Sequence, residues 1–414
     1  VLRTLIQEDL SFKGAKANRA SHNLHAFAAK FPPQIPGVFI ETLTSPNEIV
    51  LDPMSGSGTT LVEASARGRV GIGFDLDPLA VKIARMKTQP LDASAVWGAS
   101  RKVIRQAEKI AASPRIAKRL LKALYPPEAL EFFRYWFQPE TMYELASLSH
   151  AVRRYKDHGL RNFLEVVFSS IIITKSGGVS LARDLAHSRP HRVFDKEPKG
   201  AIEVFSERVV KALHAIEEIE LFPGSVSVAR SDSPRLPLAN ESVHLIVTSP
   251  PYANAIDYVR AHKFSLIWLG YRPSDLASLR RTYIGAEVDA DVPDVSSPTA
   301  REAIDAVCAK DPHKGRVLKK YFVDMAATIS EMYRVLKRGR ACIIVVGTST
   351  IRGIEVNTAS ALSELGITAG FRLAGMKARQ IDRDRRLMPM SRASDGQGIE
   401  ARMHEEHVIA LHKA

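Results

Sequence analysis

Apolar positions along this chain follow two rhythms. Short unbroken runs bounded by turn residues read as strands buried on both faces: "EIVLDP" (48–53), "RVGIGFDLDP" (69–78), Val243–Val247 and "ACIIVVG" (341–347). Between them, apolar residues at three- and four-residue spacing read as helices. "PPQIPGVFIETLTSP" (32–46) starts on prolines and ends near Thr44, "GSGTTLVEASARG" (56–68) stops at Gly68, and "LAVKIARMKT" covers 79–88. Strand and helix alternate through short connections. That order predicts an α/β fold, a Rossmann-like doubly wound sheet with helices on both faces. The pattern resumes with "SVSVARSDSPRLPLANESVHLIVTSPPY" (225–252). It continues as a helix in "YFVDMAATISEMYRVLKRG", a strand in "RACIIVVGTST", a helix in "TASALSELG" and a last strand in "EEHVIALHK" (405–413).

The alternation lapses twice. Residues 91–219 read as a mostly helical insertion, basic in "RKVIRQAEKIAASPRIAKRLLKAL" and aromatic in "YPPEALEFFRYWFQPETMYEL". A second, loop-rich insertion spans about 271–317, and no solenoid-length repeat is present. Three regions result: 1–90 with the first half of the sheet domain, 91–219 as the insertion, and 220–414 with the second half.

Composition narrows the classes. The chain has 414 residues, with ordinary apolar and charged fractions for a globular protein. No apolar run reaches membrane-spanning length, and the start lacks the apolar core of a signal peptide, so the expected location is the cytoplasm. Cys308 and Cys342 are too far apart for a disulfide framework or a metal site, and Cys342 reads as packing. The histidines show no ligand spacing, His22 and His25 read as local structure, and no metal is implied. The formal charge of +13 fits a polyanionic partner such as DNA or RNA, the bland alternative being solubility.

"VLDPMSGSGTTLVEA" sets glycines between a strand and a helix. Gly56 and Gly58 allow a sharp turn and close approach of backbone to a ligand lying over the helix start. Asp75 ends the next strand 23 residues after Asp52, about where an acid hydrogen-bonds ribose hydroxyls. A third glycine and a phosphate-loop lysine are both missing, so neither a dinucleotide nor a triphosphate is indicated. A cationic or zwitterionic cofactor suits the acids, and S-adenosylmethionine carries a sulfonium, an ammonium and ribose hydroxyls. The bland alternative is a tight turn with ordinary capping.

"TSPPY" (248–252) closes a buried strand, where doubly wound sheets place ligands. Its serine hydroxyl and backbone carbonyls can accept from an exocyclic NH2, and its tyrosine offers a flat face. A Pro-rich turn with a packed tyrosine is the alternative. In combination, these segments resemble the exocyclic-amino DNA methyltransferases, which methylate N4 of cytosine or N6 of adenine. "DPMSGSGTT" is similar to that family's cofactor loop, "GFDLDP" to its second motif, "SDSPRLPL" to its third and "TSPPY" to its catalytic motif. "HAFAAKFPPQIP" (25–36), with Phe31, resembles the segment beside the methionine part of the cofactor. The resemblance covers most of 22–90, 225–270 and 330–412.

The resemblance implies S-adenosylmethionine as cofactor. Asp52, Pro53, Gly56 and Gly58 would approach its methionine end with Thr59 nearby, Asp75 (or, as a substitute, Asp77) would bind ribose, and Asp232 the adenine amine. Ser249 and Pro250 would hold the target amine, Pro251 would shape the turn, and Tyr252 would stack on a flipped base. Serine at the head of the tetrapeptide favours N4 of cytosine, with N6 of adenine as the alternative. C5 methylation is disfavoured because no Pro-Cys pair exists.

The cofactor loop precedes the catalytic motif, which implies the non-permuted arrangement. Target recognition is expected within 91–219, where Lys175, Arg183, Arg189 and Arg192 are candidate DNA contacts and the basic helical stretch a candidate phosphate contact. "MKARQIDRDRRLMPMSRASDGQG" (376–398) would touch the DNA backbone, close over the cleft, or be a loop. Two other readings stay open. An RNA base methyltransferase is disfavoured because only about 20 residues precede the fold, whereas similar RNA enzymes usually carry an N-terminal RNA-binding domain. A non-catalytic DNA-binding protein is disfavoured because the loop, Asp75 and TSPPY are all intact. The expected setting is action alone or beside a restriction or defence system.

Overall fold

The computed structural model describes residues 1–12, 14, 19–27, 30–174, 178–182, 192–193, 195–253, 258–286, 292–381 and 405–414. Parallel strands β1 (Ile49–Asp52), β2 (Val70–Asp75), β3 (Ser225–Arg230), β4 (Val243–Thr248) and β5 (Leu336–Gly347) form most of one seven-stranded sheet. A small antiparallel hairpin, β6 (Ser349–Ile351) and β7 (Ile354–Val356), lies outside it. β8 (Arg372–Gln380) and β9 (Glu405–His412) complete the sheet antiparallel, giving the order β3-β2-β1-β4-β5-β9-β8. The order turns back beside β1. β2 and β3 run outward on one side and β4 and β5 on the other, so a doubly wound sheet has its switch point between β1 and β4.

The apolar runs are continuous because both faces of the central strands are covered. Val50, Leu245, Val247, Ile343 and Val345 face one side, against helix α2 (Gln34–Leu43) and the N-terminal helix α1 (Leu2–Leu5). Leu51, Ile246, Cys342 and Ile344 face the other. That second side is covered by α13 (Pro298–Lys310), α14 (Pro312–Val335) and α15 (Thr358–Thr368). Gly73 has no room for more: a Cβ there would lie 2.4 Å from Leu61 of α3 (Thr59–Ala66). Helix α4 (Pro78–Thr88) follows β2. Cys342 is fully buried, as its place in the run predicts.

Six helices occupy the stretch between β2 and β3 after α4: α5 (Ala93–Ala111), α6 (Pro114–Leu124), α7 (Pro127–Trp136), α8 (Pro139–Arg153), α9 (His158–Ile172) and α10 (Ala201–Glu220). They share a separate apolar core with α4 and with α11 (Tyr258–Trp268), the helix that follows the catalytic-motif segment. Trp268 ties the two regions together. Its ring stacks on Phe133 at 3.7 Å and 11° and meets Tyr125 and Phe137 edge-on. Its carbonyl, at the end of α11, accepts from Tyr125 Oη at 2.7 Å, Ser149 Oγ at 3.1 Å and Arg153 Nη2 at 3.0 Å.

Two expectations change. The stretch 271–317 is not loop-rich throughout: α12 (Pro273–Arg280), α13 and the first residues of α14 occupy much of it, started by Pro at the first turn and by the Ser297 and Asp311 caps. The N-terminal part of the basic 376–398 stretch is strand, since β8 runs to Gln380; residues 382–398 lie outside the described residues. Among the described residues no helix is long and apolar enough to cross a membrane.

Trp268→Ala should lower unfolding free energy in chemical denaturation by about 3–5 kcal/mol, because a stacked, fully buried ring is lost. Trp268→Phe should cost less than half of that. It keeps the stack and removes an indole N–H that has no partner among the described residues.

Candidate active site

The carboxyl ends of β1, β2 and β4 deliver their side chains to one place. Asp52 ends β1, Asp75 ends β2 and Thr248 ends β4. Thr248 Oγ1 donates to Asp52 Oδ1 at 2.7 Å, and the Met54 amide donates to the same oxygen at 3.2 Å. Burial dominates these bonds and pushes the Asp52 carboxyl up to about 6. On the next strand, Thr60 of α3 donates to the Val247 carbonyl at 3.1 Å. The glycine loop and the catalytic-motif strand are thus joined by two side-chain bonds.

The loop itself is a tight left-handed turn. Gly56 (φ +48°) and Gly58 (φ +82°) adopt angles that L residues avoid. A Cβ on Gly56 would meet the Phe27 ring at 3.2 Å, and one on Gly58 would meet Ala84 at 3.0 Å. The Gly56 amide donates to Asp75 Oδ2 at 2.8 Å, and the Asp77 amide donates to Asp75 Oδ1 at 2.8 Å. Burial, then the adjacent Asp77 charge, pushes Asp75 up to about 7.

Asp77 does different work. It caps α4, accepting from the Leu79 amide at 2.7 Å and the Ala80 amide at 3.2 Å. Its other oxygen meets Nδ1 of His262, on α11, at 2.6 Å. Burial would raise this carboxyl, but the charge and hydrogen bond of His262 and the two amides outweigh it and hold Asp77 below its ordinary range. The His262 ring in turn packs against Phe27, 5.1 Å between centroids.

These groups surround one partly open cavity. Of the predicted residues, Phe31, Pro53, Gly56, Thr59, Asp75, Asp77, Asp232, Ser249 and Pro251 line it. Asp52, Gly58, Pro250 and Tyr252 do not; Asp52, Gly58 and Pro250 are buried directly behind the turns that do. Tyr252 is placed differently from the expected base-stacking position. Its ring is packed in the core beside α14, 8 % exposed, and its hydroxyl donates to Glu406 Oε1 at 2.8 Å. Burial, then the Asp324 charge, raises Asp232.

Several lining residues were not singled out from the sequence. Phe27 and Lys30 lie within "HAFAAKFPPQIP" and Ser55 and Ser57 within "DPMSGSGTT", while Tyr283 and Ile284 come from the 271–317 insertion. The Ser55 and Ser57 hydroxyls are buried with no partner among the described residues. Such groups in a concave, otherwise apolar site fit a polar ligand with a nucleoside part. His22 and His25 reach beyond local structure: Nε2 of His22 meets Glu63 at 2.7 Å and Nε2 of His25 meets Ser169 at 2.7 Å, while His25 Nδ1 also meets the adjacent Ala26 carbonyl at 2.7 Å. Among the described residues no His/Cys/Asp/Glu group could hold a metal. Lys175, Arg183 and Arg189 lie outside the described residues; Arg192 packs over the Tyr135 ring at 4.9 Å.

His262→Ala should destabilise the protein by about 3–5 kcal/mol in denaturant titrations, since a buried anion then loses its partner. Adding Asp77→Asn should restore part of that loss, so the double-mutant cycle should be strongly non-additive.

The family model described as "DNA methylase" matches residues 9–86. The chain is 24 % identical over 380 residues to the Type II methyltransferase M.MvaI of Kocuria varians, covering 86 % of this chain and 83 % of that one. It is also 24 % identical over 379 residues to the Type II methyltransferase M.AvaI of a Nostoc strain, covering 78 % and 73 %. A solved S-adenosylmethionine-dependent methyltransferase from Methanosarcina mazei aligns over 93 % of this chain and 99 % of its own, at 9 % identity and a TM-score of 0.33. The strand order, rather than that slight likeness, carries the fold. Glycine loop, acids and Ser249 meet at one cleft, and the family model and the Type II relatives support an exocyclic-amino (N4/N6) DNA methyltransferase that draws its methyl group from S-adenosylmethionine.

Proposed function

We propose that the chain methylates the N4 amine of cytosine at specific sites in DNA, on a base flipped out of the duplex. The observation that carries this reading is the single cavity lined at once by the glycine loop and by Ser249 and Pro251. Bound there, S-adenosylmethionine supplies an electrophilic methyl group open to in-line attack by a nitrogen lone pair. Asp75 and Asp232 are suited to its hydroxyls and adenine amine, and Ser55, Ser57 and the loop amides to its polar methionine end.

The chain's own work is geometric and electrostatic. An exocyclic amine is a poor nucleophile because its lone pair is delocalised into the ring. Ser249 Oγ, on the cavity wall, accepts from an N–H of the amine, draws the nitrogen towards tetrahedral geometry and localises the lone pair. Two consecutive prolines hold that turn rigid, so most of the gain is positioning. The base must leave the stack, at a cost of a few kcal/mol. A neutral serine at the head of the motif favours cytosine N4 over adenine N6. The "Type II methyltransferase" names of M.MvaI and M.AvaI support a place in a restriction–modification pair.

Nucleoside digestion of DNA from cells expressing the protein should reveal N4-methylcytosine. N6-methyladenine instead would overturn the cytosine assignment, and unmodified DNA would overturn the activity. Ser249→Ala should cut methyl transfer by a factor on the order of 10² while cofactor affinity stays nearly intact. Asp75 generates a pH prediction. Its raised value means that the hydroxyl-accepting anion fills in as pH climbs, so cofactor affinity should rise through about pH 7 and level off above it. Asp75→Asn should weaken binding and flatten that profile. The sign for stability is opposite. A carboxyl raised in the folded state favours folding most below the ordinary carboxylate range, and that contribution is lost as pH rises through about 7.

A further inference from the structure

Helices α5 and α6 form a hairpin whose solvent face is dominated by positive charge. Between 93 and 124 stand eight cations and one carboxylate, Glu108. Their placement is periodic. At about 100° per residue, Arg101, Lys102, Arg105 and Lys109 fall within an arc of about 100° on α5. Arg115, Lys118, Arg119 and Lys122 do the same on α6. Each arc lies opposite its helix's buried stripe: Val96, Ala99, Val103 and Ala107 on α5, Ala117 and Leu121 on α6. Both stripes face the bundle through α8, so both cationic arcs face outward together.

All eight side chains are exposed. Among the described residues none meets a carboxylate; their one hydrogen bond there runs from Arg105 Nε to the Arg101 carbonyl at 3.4 Å. The contrast with α10, in the same bundle, is sharp. There Glu203, Glu207, Glu217 and Glu218 alternate with Arg208 and Lys211, and Lys199 pairs with Glu203 and Glu207. A surface built for solubility intersperses signs in that way. A cation-rich array repels itself, and docking on a polyanion gains free energy by releasing the counterions condensed around that polyanion. The α5 row Arg101, Arg105 and Lys109 spans about 12 Å at 1.5 Å per residue, enough to face several phosphates of one strand.

We infer that the outer face of the α5–α6 hairpin is a sequence-independent docking surface for the phosphate backbone of duplex DNA. It is separate from the groups that hold the target base, and it rests on the reading of the chain as a DNA methyltransferase. Its role is affinity and register along the duplex rather than choice of sequence. The surface binds through point charges, so its signature is the salt dependence of binding.

The test uses the full chain with Arg101, Arg105, Lys118 and Arg119 all changed to Gln. These positions are exposed, so thermal unfolding should match the wild type. Fluorescence anisotropy with a duplex lacking any methylated site is read across a range of salt concentrations. The variant should bind at least tenfold more weakly at low salt. Its slope of log affinity against log salt should be shallower by about 0.9 for each phosphate that is no longer neutralised. Methyl transfer at saturating specific DNA should keep its kcat. An unchanged slope and affinity would overturn the proposal. So would a wild type that prefers single-stranded RNA to duplex DNA and loses that preference in the variant. Failure of the underlying reading looks different: the wild type itself would then place no methyl group on DNA.

Discussion

Everything at the site depends on β1 lying beside β4. The two strands are almost 200 residues apart in sequence, yet Val50 pairs with Leu245 and Leu51 with Ile246. The Thr248–Asp52 hydrogen bond seals the register at their carboxyl ends. A slip of one residue would send Asp52 to the opposite face and carry Leu51 out of the α14 side of the core. That register is over-determined, because both faces of both strands are packed. The glycine loop after β1 and the proline turn after β4 therefore open into the same space, and Thr60 bonding back to Val247 fixes how far apart they sit.

Two carboxylates so near each other require compensation, and the compensation comes from across the fold. Asp75 and Asp77 repel, which is part of why Asp75 is raised, while Asp77 is held low by its contact with His262. His262 sits on α11, beyond the proline turn. α11 is in turn anchored at its far end by Trp268 in the helical bundle's core. The bundle between β2 and β3 is thereby more than an appendage. It holds the helix whose His262 partners Asp77 at the cavity wall. The buried pair adds little net stability of its own, but it makes the position of α11 specific, since neither partner tolerates losing the other.

Legibility in the sequence followed burial. β1, β2, β4, β5 and β9 were readable because strands covered on both faces are continuous apolar runs, and α2, α3 and α4 because turn and cap signals bracket them. β8 was not: "RLAGMKARQ" is an edge strand, largely exposed, and its polar residues look like loop until β9 pairs with it. The 271–317 helices were hidden in a different way. α12 is short and α13 buries small residues such as Ala300 and Ala303, so neither shows a strong apolar stripe. Within the site, motif residues were legible from local spacing, whereas Tyr283, Ile284 and His262 reach the cavity or its wall only through tertiary packing. No window of sequence contains that information.

Tyr252 shows how far a motif letter falls short of a position. Its hydroxyl donates to Glu406, whose other oxygen pairs with the buried Arg379 guanidinium. Arg379 also donates to the Leu10 carbonyl at 3.1 Å. The chain of bonds runs from the proline turn through β9 and β8 to the N-terminal segment. Swinging the tyrosine ring into the cavity would break the first bond and leave a buried carboxylate with one donor fewer, a cost of order 1–3 kcal/mol. A flat base stacking against that ring must repay this cost, and base–aromatic stacking is worth about the same, roughly 1–3 kcal/mol. The two terms nearly balance, so the ring's position is a property of the bonded network as much as of any ligand. In this structure the network holds the ring, and Pro251 and Ser249 are left as the motif's face to the cavity.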